Sequence, residues 1–465
     1  MKAKINNKSL VIEDPSEEIL SIAKNNLIYK DKAKEYQIRR MMRNPWTRTS
    51  PQLKELRDTV EGVLYKLIDS TIVIPSSLFY LFESDIGSNL IDDRKETGKT
   101  VVLPWVKEPY PLRPYQQEAV DLMLSLNRGV INFATGLGKT LIALHTVKKY
   151  KKTTLIVCPS ESVAKQFYSL FVKSFGQNKV AFFGAGKKKT SDITIGIAAS
   201  ISKSISIFKN LDIGLMIIDE THHTPANTFY DIAEGLADVG KVFGLTATDY
   251  RSDGKDILIN AGCGPVLIRR DIKWGVDNKW LAEPFFFMRQ VKTSGRDYKD
   301  DKLKSYKEHV LNNQKMKDVI KKDAEKMMSL NKSVLILVDE VAHGEELARQ
   351  PGIPFATGTD SKSQDYVDAL NNGEIPGLVG TDGKIGEGSD TQNVDVLILA
   401  NFVASRGPVI QAVGRGLRRT ETKTKCIIID YCPTGSTMLS RHAINRMGYY
   451  KQITDRVSFV KDSDD

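Results

Sequence analysis

The sequence predicts an α/β protein: two parallel-sheet domains in tandem, preceded by a smaller α+β domain. Three observations carry this reading. Short apolar runs recur from Tyr110 to Asp430, separated by longer segments of helical period. These runs are apolar throughout rather than alternating, as strands covered on both faces are. They also fall into two series, divided by a charged, lysine-rich stretch from Arg289 to Lys332.

The elements follow in order. Residues 28–60 are basic and partly helical, and residues 63–105 mix β-branched and aromatic runs ("STIVIPSSLFYLF") with turn residues. They make an accessory domain over 1–108. The first series is "GVINFA" (129–134), "TTLIVCP" (153–159), "DITIGIA" (192–198), "LMIID" (215–219) and "KVFGLTA" (241–247), within a domain spanning 109–283. The pattern breaks near "NKWLAEPFF", where Pro284 interrupts it. The second series is "SVLILVD" (333–339), "GLVGT" (377–381), "DVLILAN" (395–401) and "KCIIIDY" (425–431), within 284–465, which includes a C-terminal tail.

The chain has 465 residues, a formal net charge of +10 and a pI near 9.1, which favours a polyanionic partner such as nucleic acid. The N-terminal "MKAKINNKSLVIEDPSEE" has no apolar core of a secretory signal, and no run suits a membrane span. Cys158, Cys263, Cys426 and Cys432 lack C-x-x-C spacing, which argues against a zinc ribbon or a disulfide framework. The chain reads as intracellular and cytoplasmic.

"INFATGLGKT" (131–140) follows a strand and precedes a helical pattern, which is the setting of a phosphate loop. Backbone N–H groups at a helix N-terminus cradle phosphate oxygens, and glycines such as Gly136 and Gly138 let the backbone approach. Lys139 suits the β and γ phosphates, and Thr140 suits Mg²⁺. Phe133 stands where the strict pattern has its first glycine. A second "TGKT", in "ETGKT" at 96–100, follows "IDDRK" rather than an apolar strand and reads as a turn.

"LMIIDETHHTP" (215–225) sets Asp219, Glu220, His222 and His223 behind an apolar run. By itself it allows a metal site, an acid–base pair or part of an ATPase. A zinc protease needs H-E-x-x-H on a helix, and adjacent histidines point apart. With a phosphate loop in the same chain, Asp219 suits the Mg²⁺-organising carboxylate and Glu220 the group that orients attacking water.

With "FATGLGKT" and "DETHH" together, the chain resembles superfamily 2 helicases of the DExH type, whose fold is two tandem RecA-like domains. "LRPYQQEAV" (112–120) looks like the Q motif, which implies adenine recognition by Gln116 with Arg113 beside it, and Thr135 belongs to the nucleotide loop. "LIVCPSESVAKQF" (155–167) and "ITIGIAASISK" (193–203) resemble motifs Ia and Ic, implying nucleic-acid contacts at Pro159 and Ser200. "GLTATDYRSDG" (244–254) is similar to motif III, with Thr246, Thr248 and His222 as coupling residues. Asp249 replaces the proline usual there.

"SVLILVDEVAHGEEL" (333–347) resembles motif IV. "LVGTDGKIGEGSDTQNVDVLILA" (378–400) looks like motif V, placing Thr381 on the polymer and Gly388 and Asp390 on the nucleotide. "QAVGRGLRR" (411–419) matches motif VI, with Gln411 near the γ-phosphate and Arg415 and Arg418 as finger candidates. Within the superfamily the chain looks most like phage UvsW-like branched-DNA helicases, through "LRPYQ", "LTAT-x-x-R-x-DG" and "RHAINRMGYYKQITDRVSF" (441–459).

The resemblance implies an ATP- and Mg²⁺-dependent enzyme, a monomer, that unwinds or branch-migrates forked DNA in replication, recombination or repair. Arg39, Arg40, Arg43 and Arg48 with Trp46 (30–50) offer phosphate contacts and a stacking or wedging ring. An RNA helicase and a restriction-type translocase share these motifs, although no spare nuclease-sized domain is visible. A non-catalytic binding module is disfavoured by the intact lysine, acid pair and arginines.

Overall fold

The computed structural model describes residues 1–220, 226–247, 256–298, 301–349, 352–358, 360, 362–381, 391–402 and 404–461. It forms two compact units, Met1–Phe133 with Gly138–Arg269, and Ala134–Leu137 with Arg270–Asp465.

The first unit opens with a sheet of β1 (Lys2–Ile5), β2 (Ser9–Glu13), β3 (Lys66–Ile68), β4 (Thr71–Pro75) and β5 (Leu90–Asp92), in the order β3-β4-β2-β1-β5. Alternation along these strands buries Ala3, Ile5, Leu10, Ile12, Ile72 and Ile74 on one face. Ile19 and Ala23 of helix Glu17–Asn26 cover that face. The basic segment becomes helices Lys32–Arg43 and Pro51–Asp58, carried on a short ladder of Ile28–Lys30 with Glu61–Val63.

The larger sheet of the unit comprises β6 (Arg128–Phe133), β7 (Thr154–Cys158), β8 (Val180–Gly184), β9 (Lys187–Lys188), β10 (Ile193–Ile197), β11 (Leu215–Asp219), β12 (Lys241–Thr246) and β13 (Val266–Arg270). Their order is β9-β8-β10-β7-β11-β12-β6-β13. The pairs from β8 to β6 are parallel, and β9 returns antiparallel on β8. Every residue of β7, β8, β11 and β12 is buried, which is why these runs carry no alternation.

The small and large sheets share one core. Leu258 and Ala261 of helix Asp256–Cys263 pack into the cluster built on β1, β2 and β4. Ser77 Oγ donates to Ala261 O, and the Arg128 guanidinium donates to the carbonyls of Asn7 (2.9 Å), Ala237 (3.0 Å) and Val239 (2.8 Å). Burial lowers the pKa of that guanidinium to about 10.

The second unit is one parallel sheet of β14 (Glu283–Val291), β15 (Val334–Val338), β16 (Phe355–Ala356), β17 (Gly377–Thr381), β18 (Val396–Leu399), β19 (Lys425–Pro433) and β20 (Val457–Val460). Its order is β16-β17-β15-β18-β19-β14-β20. Pro284 does not end a strand: it is the second residue of β14, paired along its length with β19. The Phe286 N–H bonds Arg456 O on the β20 side, so Pro284 also faces that side, before β20 begins opposite Phe286. Its missing N–H therefore breaks no ladder bond. Helix Thr437–Lys451 is fastened to the end of β19 by Arg446, whose Nε (2.7 Å) and Nη2 (2.9 Å) grip the buried Asp430 carboxylate.

Candidate nucleotide site

Three neighbouring strands end at one edge of the first unit's sheet. Across β6 and β12 Asn132 stands opposite Thr246, and across β12 and β11 Leu245 stands opposite Asp219. Because these strands are parallel, their carboxyl ends converge where α/β sheets bind ligands. The loop leaving β6 holds Gly136 at φ 90° and Gly138 at φ 81°, left-handed values that favour glycine. Gly138 caps helix Lys139–Tyr150, whose first N–H groups have no partner within the helix.

Gln116 reinforces the requirement at 138, since a Cβ there would run into its amide nitrogen. The Gln116 side chain is itself buried and fixed: its Oε1 accepts from Arg113 N at 2.9 Å in a capping box that starts helix Pro114–Ser125. Arg113 Nη1 donates to Tyr115 Oη at 3.3 Å. The residues read from sequence as an adenine reader and a phosphate loop are thus in direct contact.

Lys139 Nζ donates to Phe133 O at 3.1 Å and pairs with Glu220 Oε1 at 3.3 Å. Asp219 is only 6% exposed, and its pKa is pushed up to about 7. Burial is the main cause, followed by the neighbouring Glu220 charge, with Lys139 opposing both. Glu220 sits at φ 45°, unusual for a residue with a Cβ, and its Oε2 accepts from Ala247 N at 3.4 Å. A buried carboxylate this reluctant to ionise fits a place where a divalent cation would offset its charge, and Thr140 lies half-buried in the adjoining helix turn.

The remaining residues read from sequence fall in several places. Thr135 is half-buried in the loop, and Thr246 is buried at the end of β12. Pro159 follows β7, and Ser200 lies in helix Ala198–Ser202 after β10, at the same edge. In the second unit Thr381 ends β17. Gln411 and Arg415 are buried on helix Arg406–Gly416, and the half-buried Arg418 follows it. Arg43 and Trp46 sit apart on the helical arm, the tryptophan 91% exposed. His222, Thr248, Gly388 and Asp390 lie outside the described residues. Among the described residues no group of three or more His, Cys, Asp or Glu could hold a metal ion.

Two contributors escaped the sequence reading. The Ala247 backbone N–H holds Glu220, and no residue type announces a backbone donor. Asn132, buried on β6 with its Nδ2 lacking a partner among the described residues, was submerged in an apolar run. The second "TGKT" sits at the opposite edge. Thr97 Oγ1 donates to Ile213 O (2.8 Å) and accepts from Gly240 N (2.7 Å), while Gly98 N donates to Asp212 Oδ1 (2.8 Å). These groups precede β11 and β12, so 96–100 binds strand starts.

Two parallel sheets of RecA-like fold, one of them ending in a glycine loop, a lysine and an acid pair, have the layout of a P-loop nucleotide-binding protein. Comparison with known proteins narrows the class. A family model described as "Type III restriction enzyme, res subunit" matches residues 109–251. The "Putative DNA 3'-5' helicase Rad25" of Halobacterium salinarum is 27% identical over 354 residues, covering 72% of this chain and 56% of that one. A fragment of a putative HsdR subunit of a type I restriction enzyme from Vibrio vulnificus shares the fold, with a TM-score of 0.54 at 22% identity over 76% of this chain and 69% of that one. The structure of T4 UvsW aligns along 99% of both chains at 17% identity, and its TM-score of 0.44 is too low to carry weight. Over these stretches the chain is similar to superfamily 2 helicases. It spans about half the length of the curated relatives it matches.

Proposed function

We propose that this chain is an ATP-dependent DNA translocase or helicase. One observation supports it most: Lys139, Asp219 and Glu220 converge at the carboxyl ends of adjacent strands, with Lys139 3.3 Å from Glu220. In this reading the loop of Thr135, Gly136 and Gly138 holds phosphates, Lys139 binds the β and γ phosphates, and Arg113 and Gln116 read the base. Thr140 and Asp219 would hold Mg²⁺, which when bound neutralises phosphate charge. Glu220 orients the attacking water. Gln411, Arg415 and Arg418 serve the transferred phosphoryl group, with Gly388 and Asp390 on the nucleotide.

His222, Thr246 and Thr248 transmit hydrolysis, and Pro159, Ser200 and Thr381 hold the polymer. Arg43 and Trp46 on the helical arm meet forked or branched DNA, and the enzyme works as a monomer. The residues 1–108, 109–283 and 284–465 act as accessory and two motor domains. The net charge of +10 supports a nucleic-acid partner.

The test is ATP turnover with single strands, duplex, forks, four-way junctions and RNA. We expect stimulation by DNA, greatest with branched forms, and none in Glu220→Gln, which still binds ATP. Robust turnover by Glu220→Gln defeats the site assignment, and a strong preference for RNA defeats the substrate.

A further inference from the structure

Helices Gln314–Ser329 and Val341–Arg349 flank β15 in the second unit. Lys317 and Lys321 stand one turn apart on the first, His343 and Glu346 one turn apart on the second. Lys317 and Lys321 are each 7% exposed and His343 is 3% exposed. Lys317 Nζ pairs with Glu346 Oε1 at 2.7 Å. Lys321 has no hydrogen-bond or ion-pair partner among the described residues, and neither ring nitrogen of His343 has one. Burial, aided by the two lysines and opposed by Glu346, lowers the imidazole pKa to about 4, so the ring is neutral and carries one N–H.

Two lysines therefore border one half-exposed carboxylate, beside a buried imidazole whose hydrogen-bonding capacity is unused. A buried imidazole with neither nitrogen bonded is costly unless a partner enters, and the two lysines favour an anionic one. Lysine snorkelling would carry the Lys321 head toward water, but it leaves both His343 nitrogens unexplained. A tetrahedral oxyanion has acceptors for two ammonium groups and an imidazole N–H together.

The fold also places this cluster. Val338, the last residue of β15, pairs with Thr381, and His343 lies in the first turn of the helix that leaves β15. Helix Gln314–Ser329 runs back along β15. Its 16 residues span roughly 24 Å and the strand's 5 about 17 Å, so Lys317 lies toward the strand's carboxyl end.

We propose that Lys317, Lys321 and His343 form a phosphate-binding site beside Thr381. The motor reading supplies its ligand, a phosphodiester of the polynucleotide backbone.

The test uses the full chain as wild type, Lys321→Met and Lys321→Arg, with matched thermal midpoints confirming folding. Each is titrated with a single-stranded oligonucleotide across a salt series, and with inorganic phosphate while the imidazole NMR signals are followed. His343→Gln assigns those signals. We expect Lys321→Met to bind the oligonucleotide about tenfold more weakly, with a log–log salt slope shallower by about 0.7, and Lys321→Arg to restore both. Phosphate should shift the His343 signals in wild type and not in Lys321→Met. A phosphate response with an unchanged slope keeps the oxyanion site but removes the polymer as its source. No difference in either readout overturns the proposal. Neither measurement uses ATP turnover, so failure of the motor reading is separately visible.

Discussion

"GLGKT" (136–140) and "ETGKT" (96–100) differ by little on paper and lie at opposite edges of one sheet. The first follows the carboxyl end of β6, where Lys139 meets Glu220. The second straps the amino ends of β11 and β12 through Thr97 and Gly98. A glycine–lysine–threonine run becomes a phosphate site only where parallel strands end and a helix begins. The comparison teaches that one short run can stand at the ligand-binding edge of a parallel sheet or tie down its strand starts, according to where it falls.

Exchanging the lysines gives the largest expected contrast. Lys139→Ala should lower ATP turnover by about a thousandfold or more, whereas Lys99→Ala should stay within about twofold of wild type. Comparable losses in both would erase the distinction between the edges.

Glycine variants should split the other way. Gly98 has φ 91°, and a Cβ there would strike the Gly214 backbone, so Gly98→Ala should cost about 2–3 kcal/mol of stability with turnover per folded molecule preserved. Gly138→Ala, at φ 81° and against Gln116, should also lose stability, but unlike Gly98→Ala it should weaken nucleotide binding about tenfold per folded molecule. Urea unfolding with nucleotide titration distinguishes the two.

Arg128 begins β6 at the amino edge, so Arg128→Met should destabilise the first unit by about 3 kcal/mol by orphaning carbonyls. The same contacts explain why deleting the N-terminal residues is a poor test of the helical arm. That deletion strips the cover from Leu258 and Ala261, whereas Trp46→Ala and Arg43→Ala leave this core whole.

A further effect concerns pH. Asp219 titrates near 7 in the fold against an ordinary value of 3.8, so its raised pKa gives stability fully present below about pH 3.8 and lost as pH rises through 7. Asp219→Asn should flatten that decline between pH 5 and 8 in urea titrations. A wild type that gains stability over this window relative to the variant would refute the burial of the carboxylate.

Much of the fold was legible because its signals are local. "LMIID" and "GLVGT" match β11 and β17 to the residue, since strands buried on both faces leave continuous apolar runs. "VAFFG" (180–184) and "EPFFFMRQV" (283–291) were not read as strands. The second half-alternates and contains a proline, and only the late start of β20 makes that proline harmless.

By itself the sequence pointed to the fold class, the order of the motifs and a candidate lysine, acid pair and arginines, because each is a residue type at a fixed distance from a strand end. Tertiary structure decided the rest. It joined Gln116 to Gly138, recruited the Ala247 N–H to Glu220, fused the accessory sheet to the first motor sheet through Arg128, and sent two similar glycine–lysine runs to opposite edges. Those outcomes depend on strand order and direction, which bring together groups far apart along the chain and leave no mark in local composition.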